Sequence, residues 1–310
     1  MRVARVVAGR VGELAIVFLG VTFLIYAAVW ALPGDPIAAL GGDRPLPPNV
    51  VAELRERFHL DEPLWQQYLR YLGGLVTGDL GTAFDGRPVA ERMASRWPVT
   101  ITLALTAWVI EVVLGVLLGL WAGLRKDTAI DRTILFGTIL ATSIPIFVVG
   151  VTAQLVFGLQ LGWAPIAGTD AGWPVAYLLP ALVIAVFGLA SIARLMRGSV
   201  IDSMESDFVR TLRAKGIPRS RIVGVHVTRN SVAPVLTFVA IDLGFLLGGA
   251  VVIEGIFNLP GIGQLLFSAI RTQEGPTVVG VATTLILIFL ALNVLVDIIN
   301  SALDPRIRHD

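Results

Sequence analysis

The sequence predicts an all-α polytopic membrane protein with six transmembrane helices. Hydrophobic residues make up 55% of its 310 residues and charged residues 15%, whereas about a quarter of a soluble domain is charged. A helix needs about 20 predominantly apolar residues to cross a bilayer. Six segments meet that requirement, at residues 14–32, 99–124, 133–158, 173–193, 231–253 and 277–296. The first is too long for the apolar core of a signal peptide, so we predict that it is retained.

The distribution of Lys and Arg predicts the orientation of these helices, because cytoplasmic loops retain positive charge. With both termini in the cytoplasm, 16 of the 24 basic residues lie in cytoplasmic segments, eight of them at residues 194–229. The loop at residues 33–98 also holds seven, but long loops count little in this rule. That loop is predicted to lie outside the membrane and to contain short amphipathic helices, one of them with leucine and tyrosine at helical spacing in residues 64–75.

Residues 207–221 form the most basic part of the predicted cytoplasmic loop, with four arginines and one lysine in fifteen residues. Ser206 or Asp207 can cap the start of a helix, and Gly216 stands where a glycine ends one. Pro218 suits the first turn of a second helix. Apolar side chains are interspersed with the charges, as in an amphipathic helix that docks into a partner's groove. A solvated basic anchor at the membrane surface is the alternative that composition alone leaves open.

The segment RTLRAKGIPRSRIVGVHVTRN, at residues 210–230, resembles the cytoplasmic EAA loop of ABC-importer permeases, in the form found in the dipeptide, oligopeptide and nickel family. Further blocks similar to that family are LPGDP at 32–36, PVTITLAL at 98–105, ARLMRGSV at 193–200, EGIFNLPGIGQLL at 254–266 and DPRIR at 304–308. The chain departs from the family pattern at Leu212, where alanine is usual, at Thr228, where leucine is usual, and in TQEGP at 272–276.

The resemblance implies a type I ABC-importer permease bundle and a short coupling helix that contacts a partner ATPase. It places that contact at Asp207, Phe208, Val209, Arg210, Thr211, Leu212, Arg213, Ala214, Lys215, Gly216 and Ile217. The implied partners are a second, similar permease that forms a heterodimer with this chain, two cytoplasmic ATP-binding subunits and an extracytoplasmic substrate-binding protein. The ATPases would use ATP and Mg²⁺, and this chain itself would bind neither cofactor nor metal.

The sequence predicts no catalytic site. A phosphate-binding loop of the GxxxxGK type, followed by serine or threonine, needs a lysine after the second glycine. The only lysines are Lys126 and Lys215, and neither has that context. The chain has no cysteine, which excludes disulfides and thiolate metal sites. A net charge of +1 gives no basis for nucleic-acid binding, so the expected partners are other proteins and membrane lipid.

Glu111 and Asp242 stand in the middle of the second and fifth predicted helices. A charge there costs about 2.5–3.5 kcal/mol on insertion scales, so both should face the interior of the bundle. Two interpretations remain open. The carboxyl groups line a polar substrate pathway and meet a peptide's ammonium group, or each forms a structural hydrogen bond to a neighbouring helix, with either one protonated. Arg194 and Arg197 are predicted to anchor the end of the fourth helix at the inner surface of the membrane, and Gln154 is predicted to form a hydrogen bond between helices.

The predicted domain organisation has four parts. Residues 1–32 are a cytoplasmic N-terminus and first helix, 33–98 an extracytoplasmic loop, 99–303 a five-helix permease core with a coupling loop at 194–230, and 304–310 a cytoplasmic tail. The predicted function is that of the permease subunit of an ATP-driven importer for short peptides in a prokaryotic cell membrane. A nickel complex or glutathione stays open as the substrate. A secondary transporter or channel without an ATPase is the alternative from another class; it would show inverted repeats and paired broken helices, which the sequence lacks.

Overall fold

The computed structural model describes residues 2–31, 37 and 46–303. These residues form helices joined by turns and loops, and their only strand-like pairing is an isolated bridge between Thr82 and Pro88. The predicted all-α fold is therefore confirmed. The LPGDP and DPRIR blocks and the predicted tail lie outside the described residues.

We number the α-helices of the described chain in order, leaving out the single turn Arg219–Arg221. They are α1 (Arg2–Ala31), α2 (Pro48–Arg57), α3 (Leu64–Val76), α4 (Val89–Ala94), α5 (Trp97–Leu124), α6 (Ala129–Ser143), α7 (Ile146–Ala153), α8 (Val175–Glu205), α9 (Asp207–Ala214), α10 (Thr228–Ile256), α11 (Ile262–Arg271) and α12 (Gly275–Leu303). Two π-helical segments extend this series: Gln154–Gln160 continues α7, and Ile222–Val227 joins Arg219–Arg221 to α10.

Five helical segments of the described chain are long and apolar enough to cross a membrane. They are Gly12–Trp30, Trp97–Leu124, Val175–Glu205, Arg219–Gly244 and Gly275–Leu295. Each overlaps one of the predicted transmembrane helices, namely the first, second, fourth, fifth and sixth. The polytopic membrane character is thus confirmed, and the number of spans reaches six when a bent pair of helices is counted as one.

The third predicted helix, at residues 133–158, is this bent pair. Ala129–Ser143 and Ile146–Gln160 meet at an angle of 98°, so the predicted span consists of two helices rather than one continuous helix. Pro145 explains the break, because proline has no backbone N–H to donate and its ring disfavours helical backbone in the residue before it. Ile144 accordingly takes an extended conformation, with φ −99° and ψ 128°.

The described chain divides into two compact units. The first comprises Met1–Pro98 and Gly261–Ala291. A partly buried ion pair holds part of it together, because Arg92 Nη1 lies 2.7 Å from Glu274 Oε1, and the same oxygen accepts a hydrogen bond from the Phe84 N–H. Glu274 belongs to the TQEGP segment, so this departure from the family pattern still places a paired charge there.

The second unit comprises Val99–Pro260 and Leu292–Asp310, and α8 packs against α5, α6 and α10 within it. Its contact with α5 is very close. Gly115, Gly119 and Gly123 follow one another at four-residue spacing, and a Cβ on Gly119 would lie 2.5 Å from the Ala193 carbonyl oxygen of α8. Small residues permit such close approach of membrane helices, so these glycines set the spacing of α5 and α8.

Gln154 links the bent pair to the end of α10. Its side-chain Nε2 donates to the carbonyl oxygens of Ile256, at 2.9 Å, and Ile166, at 2.8 Å. The predicted bond between helices is confirmed for this residue. Gln154 also begins the π-helical segment, in which the backbone hydrogen bonds join residues five apart instead of four.

Candidate coupling segment and intramembrane acidic pair

Helix α9 is separated from α8 by a single residue, Ser206. Ser206 has extended backbone, with φ −69° and ψ 156°, which interrupts the helical conformation between the two helices. Its hydroxyl donates to the Ser203 carbonyl and does not cap α9. Asp207 in the first turn supplies a negative charge at the positive end of the helix dipole. The predicted start of the helix at 206 or 207 is therefore confirmed, with Ser206 in the N-cap position.

The C-terminal end of α9 is a Schellman motif built on Gly216. Gly216 has φ 74°, a left-handed conformation that costs other L-residues about 1–2 kcal/mol. The Gly216 N–H donates to the Arg213 carbonyl at 2.9 Å, and the Ile217 N–H donates to the Leu212 carbonyl at 3.2 Å. This pair of bonds and the left-handed glycine define the motif. The prediction that Gly216 ends the helix is confirmed.

One face of α9 is fixed to its own chain. Val209 is fully buried in an apolar cluster formed with α8, α10 and the π-helical segment before it, and Leu212 and Ile217 pack against the same cluster. The bulk added at Leu212, where the family usually has alanine, therefore points inward. Leu212 is half-buried, so the departure from the family pattern fills space within this chain.

The other face of α9 is open. Phe208 is 38% exposed, and it is accompanied by exposed polar and small residues. These are Asp207, Arg210, Thr211, Arg213, Ala214, Lys215 and Gly216. Of the eleven predicted contact residues, the structure thus places eight on an accessible surface and three against the core of their own unit.

The end of α8 that precedes α9 is fastened to α6 by a buried ion pair. Arg197 Nε lies 2.5 Å from Asp131 Oδ1, and Arg197 Nη2 lies 2.7 Å from Asp131 Oδ2. Arg194 donates to the Thr138 carbonyl of α6. Both arginines were predicted as surface anchors, but the structure shows them bonded to a neighbouring helix. Sequence alone missed Asp131 because nothing in its spacing marks it as a partner.

An exposed ion pair lies close to this buried one. Lys126 Nζ is 2.7 Å from Glu205 Oε1, and both side chains are largely exposed. The Glu205 carboxylate raises the pKa of the Lys126 ammonium above its ordinary value. The pair connects the loop after α5 to the last residue of α8, next to the start of α9.

Glu111 and Asp242, predicted separately on two helices, are brought together in the second unit. A Cβ built on Gly188 of α8 would lie 2.5 Å from Glu111 Cδ and 3.0 Å from Asp242 Oδ2, so the two carboxyl groups are neighbours across this glycine. Glu111 is fully buried and Asp242 half-buried. Both therefore face the interior of the helices, as predicted from the cost of exposing a charge to lipid.

Three of the four carboxyl oxygens of Glu111 and Asp242 have no hydrogen-bond donor among the described residues. Both oxygens of Glu111 and Oδ2 of Asp242 are buried and accept no hydrogen bond from the described residues. The described chain also contains no group of three or more His, Cys, Asp or Glu side chains that could hold a metal ion. The arrangement is an intramembrane acidic pair at the meeting point of α5, α8 and α10.

Comparison with known proteins covers nearly the whole chain. A family described as the binding-protein-dependent transport system inner membrane component matches residues 115–309. The N-terminal part of such membrane components matches residues 3–104. The chain belongs to this family. An inner membrane component with several apolar helices is a multi-pass protein of a prokaryotic membrane, and the family resemblance predicted from the sequence is confirmed.

Relatives of this inner membrane component align from end to end. A peptide transport system permease protein of Brucella abortus (strain 2308) is 37% identical, over 97% of this chain and 98% of the relative. The di/tripeptide transport system permease protein of Pseudomonas aeruginosa (strain UCBPP-PA14) is 34% identical, over 98% of both chains. The dipeptide transport system permease protein of Escherichia coli (strain K12) is 33% identical, over 97% of both chains.

Proposed function

We propose that this inner membrane component is the permease subunit of an ATP-driven ABC importer for short peptides. The names of its end-to-end relatives support the peptide substrate. The permease pairs with a second, similar permease, receives substrate from an extracytoplasmic binding protein and is driven by two cytoplasmic subunits that use ATP and Mg²⁺. Transport proceeds by alternating access, in which ATPase closure biases a bundle with two states.

The observation that carries the proposal is the two-faced attachment of α9. Its open face presents Phe208 among basic side chains, which suits a groove with an apolar pocket and acidic rim. Its buried face is tied to α8 and α10 through Val209. A helix held in this way transmits a displacement of its partner to the membrane helices, as coupling between two sites requires.

The proposed orientation places both termini and α9 in the cytoplasm and the loop at residues 33–98 outside. The excess of Lys and Arg in the segments assigned to the cytoplasm supports it. Glu111 and Asp242 then lie on the route of the substrate through the core. Their carboxyl groups face inward among three helices whose separation would open a polar path.

The end of α9 offers a direct test of coupling. Gly216→Val forces a branched residue into the left-handed conformation, and the resulting strain of about 1–2 kcal/mol should disturb the attachment of α9 to its partner. We expect normal membrane levels of the protein, about tenfold less peptide uptake in cells, and loss of the stimulation of ATP hydrolysis by the binding protein.

Two variants provide matched controls for Gly216→Val. Gly216→Asn should retain most uptake, because asparagine tolerates the left-handed conformation. Gly224→Ala lies in the same loop, where an added Cβ meets nothing within 4 Å and φ is not positive, and it should leave uptake unchanged. Unimpaired uptake by Gly216→Val would refute the role of α9 in coupling.

A further inference from the structure

We propose that Glu111 carries a proton in this conformation and donates it in a hydrogen bond to the ionised Asp242. The two side chains then form a proton-binding site at the point where α5, α8 and α10 meet. The site is independent of which substrate the protein transports, and it does not require α9 to act as a coupling helix. It rests on the burial and surroundings of the two carboxyl groups.

The positions of the two carboxyl groups differ in a way that assigns the proton. Glu111 is fully buried and neither of its oxygens receives a hydrogen bond from the described residues. Asp242 is half-buried, and only its Oδ2 is both buried and without a donor. Desolvation disfavours the charged form most where burial is complete. The proton therefore belongs on Glu111, and the charge on Asp242.

No cation of the three surrounding helices faces the pair. Glu111 is the only ionisable residue of α5. On α8 the nearest charge to Gly188 is Arg194, six residues or about 9 Å along the helix axis, and its side chain is bonded to α6. On α10 the nearest charges to Asp242 are Glu254 and Arg229, each more than three helical turns away.

Helices α6 and α7, which also pack against α8, supply no compensating charge either. Helix α7 contains no ionisable residue, and Asp131 and Arg132 lie in the first turn of α6, where Asp131 is already paired with Arg197. Two neighbouring carboxylates without a cation would repel each other in a medium of low polarity. A protonated Glu111 removes that repulsion and provides an O–H donor for Asp242. The buried Gly188 leaves the space that both carboxyl groups need, since a Cβ there would collide with Glu111.

The proton is held only while the three helices enclose Glu111. A conformation that opens α5 away from α8 would hydrate the carboxyl group and release the proton into the opened path. Uptake of a proton would accompany the return to the closed arrangement. The acidic pair thereby links proton binding to the arrangement of the core helices.

Infrared difference spectroscopy tests the assignment on the full-length chain, purified with the subunits that accompany it. We expect the spectrum of the unaltered protein at neutral pH to contain the carbonyl band of a protonated carboxyl group that Glu111→Gln abolishes. Asp242→Asn should retain this band, shifted because its acceptor has changed, and should remove the bands of one ionised carboxylate.

The two variants also provide the results that would overturn the proposal. Loss of an ionised carboxylate in Glu111→Gln would show that Glu111 is charged, and loss of a protonated carboxyl band in Asp242→Asn would show that Asp242 carries a proton. Glu254→Gln is the matched control, because Glu254 is equally buried but accepts a hydrogen bond from Thr100 at 2.7 Å. It should leave the Glu111 band in place. Both tested substitutions preserve side-chain volume, and either one alone decides the protonation of its site.

Discussion

Two ion pairs near the loop between α5 and α6 differ in burial, and this difference predicts their contributions to stability. Asp131 is 2% exposed and holds Arg197 through two bonds, while Lys126 and Glu205 are 46% and 64% exposed. Removing one partner of a buried pair leaves an uncompensated charge and costs about 3–5 kcal/mol. An exposed pair contributes little to stability, because water and salt screen the attraction between its charges.

We therefore expect Asp131→Asn to lower the apparent Tm of the detergent-purified protein by roughly 10 °C, on the usual scale of a few degrees per kcal/mol. Lys126→Met, the control, should change it by no more than about 3 °C. The measurement heats samples of the protein to a series of temperatures and determines by size-exclusion chromatography how much folded protein remains at each. Equal shifts for the two variants would contradict the difference in burial as the cause.

At the scale of helices, the contact between α5 and α8 predicts how the core responds to a single methyl group. A Cβ on Gly119 would lie 2.5 Å from the Ala193 carbonyl oxygen and 2.7 Å from Met196 Cβ, so Gly119→Ala forces the helices apart. Overpacking of this kind costs about 1–3 kcal/mol. Gly137 in α6 has nothing within 4 Å of an added Cβ, and Gly137→Ala should be neutral or slightly stabilising because alanine favours helix.

The same thermal unfolding measurement distinguishes these two glycines. We expect a Tm lowered by about 3–10 °C for Gly119→Ala, and none of this loss for Gly137→Ala. A stable Gly119→Ala protein would mean that α5 and α8 can move apart without cost, and the close packing described above would then not be a constraint on the native state.

Long apolar helices were the elements that the sequence predicted best, because hydrophobic length alone determines whether a segment can span a bilayer. The bend between α6 and α7 was missed for the same reason. Both halves are apolar, so composition gave no sign of a boundary, and the proline that breaks the helix was the only local signal. Lone polar residues such as Gln154 were interpreted correctly because an amide in an apolar helix needs a partner.

The coupling segment and the acidic pair were predicted less completely than the membrane helices. The ends of α9 follow from the helix-capping preferences of Ser206, Asp207 and Gly216, and the structure has the helix ends at the predicted positions. Which side chains of α9 face outward depends on packing against residues far away in the sequence, so the burial of Val209 could not be predicted. Glu111 and Asp242 were each recognised as inward-facing, but their meeting at Gly188 is a property of three helices together.

For the whole molecule, the proposed orientation is open to a clean experiment because the chain contains no cysteine. Arg87 and Arg213 are both exposed. A single cysteine can be introduced at either position without first replacing native cysteines. We expect Arg87→Cys to react with a membrane-impermeant maleimide in intact spheroplasts, and Arg213→Cys to react only after permeabilisation. The opposite pattern would invert the proposed topology and place α9 outside.

The buried side chain of Val209 has a mechanical consequence for α9. The side chain is fully buried in an apolar cluster with residues of α8 and α10, and close-packed interiors have low compressibility. A displacement of α9 by a partner on its open face is therefore transmitted directly to α8 and α10. Val209→Ala would leave a cavity between α9 and these helices. Part of each displacement of α9 would then fill the cavity instead of moving the membrane helices.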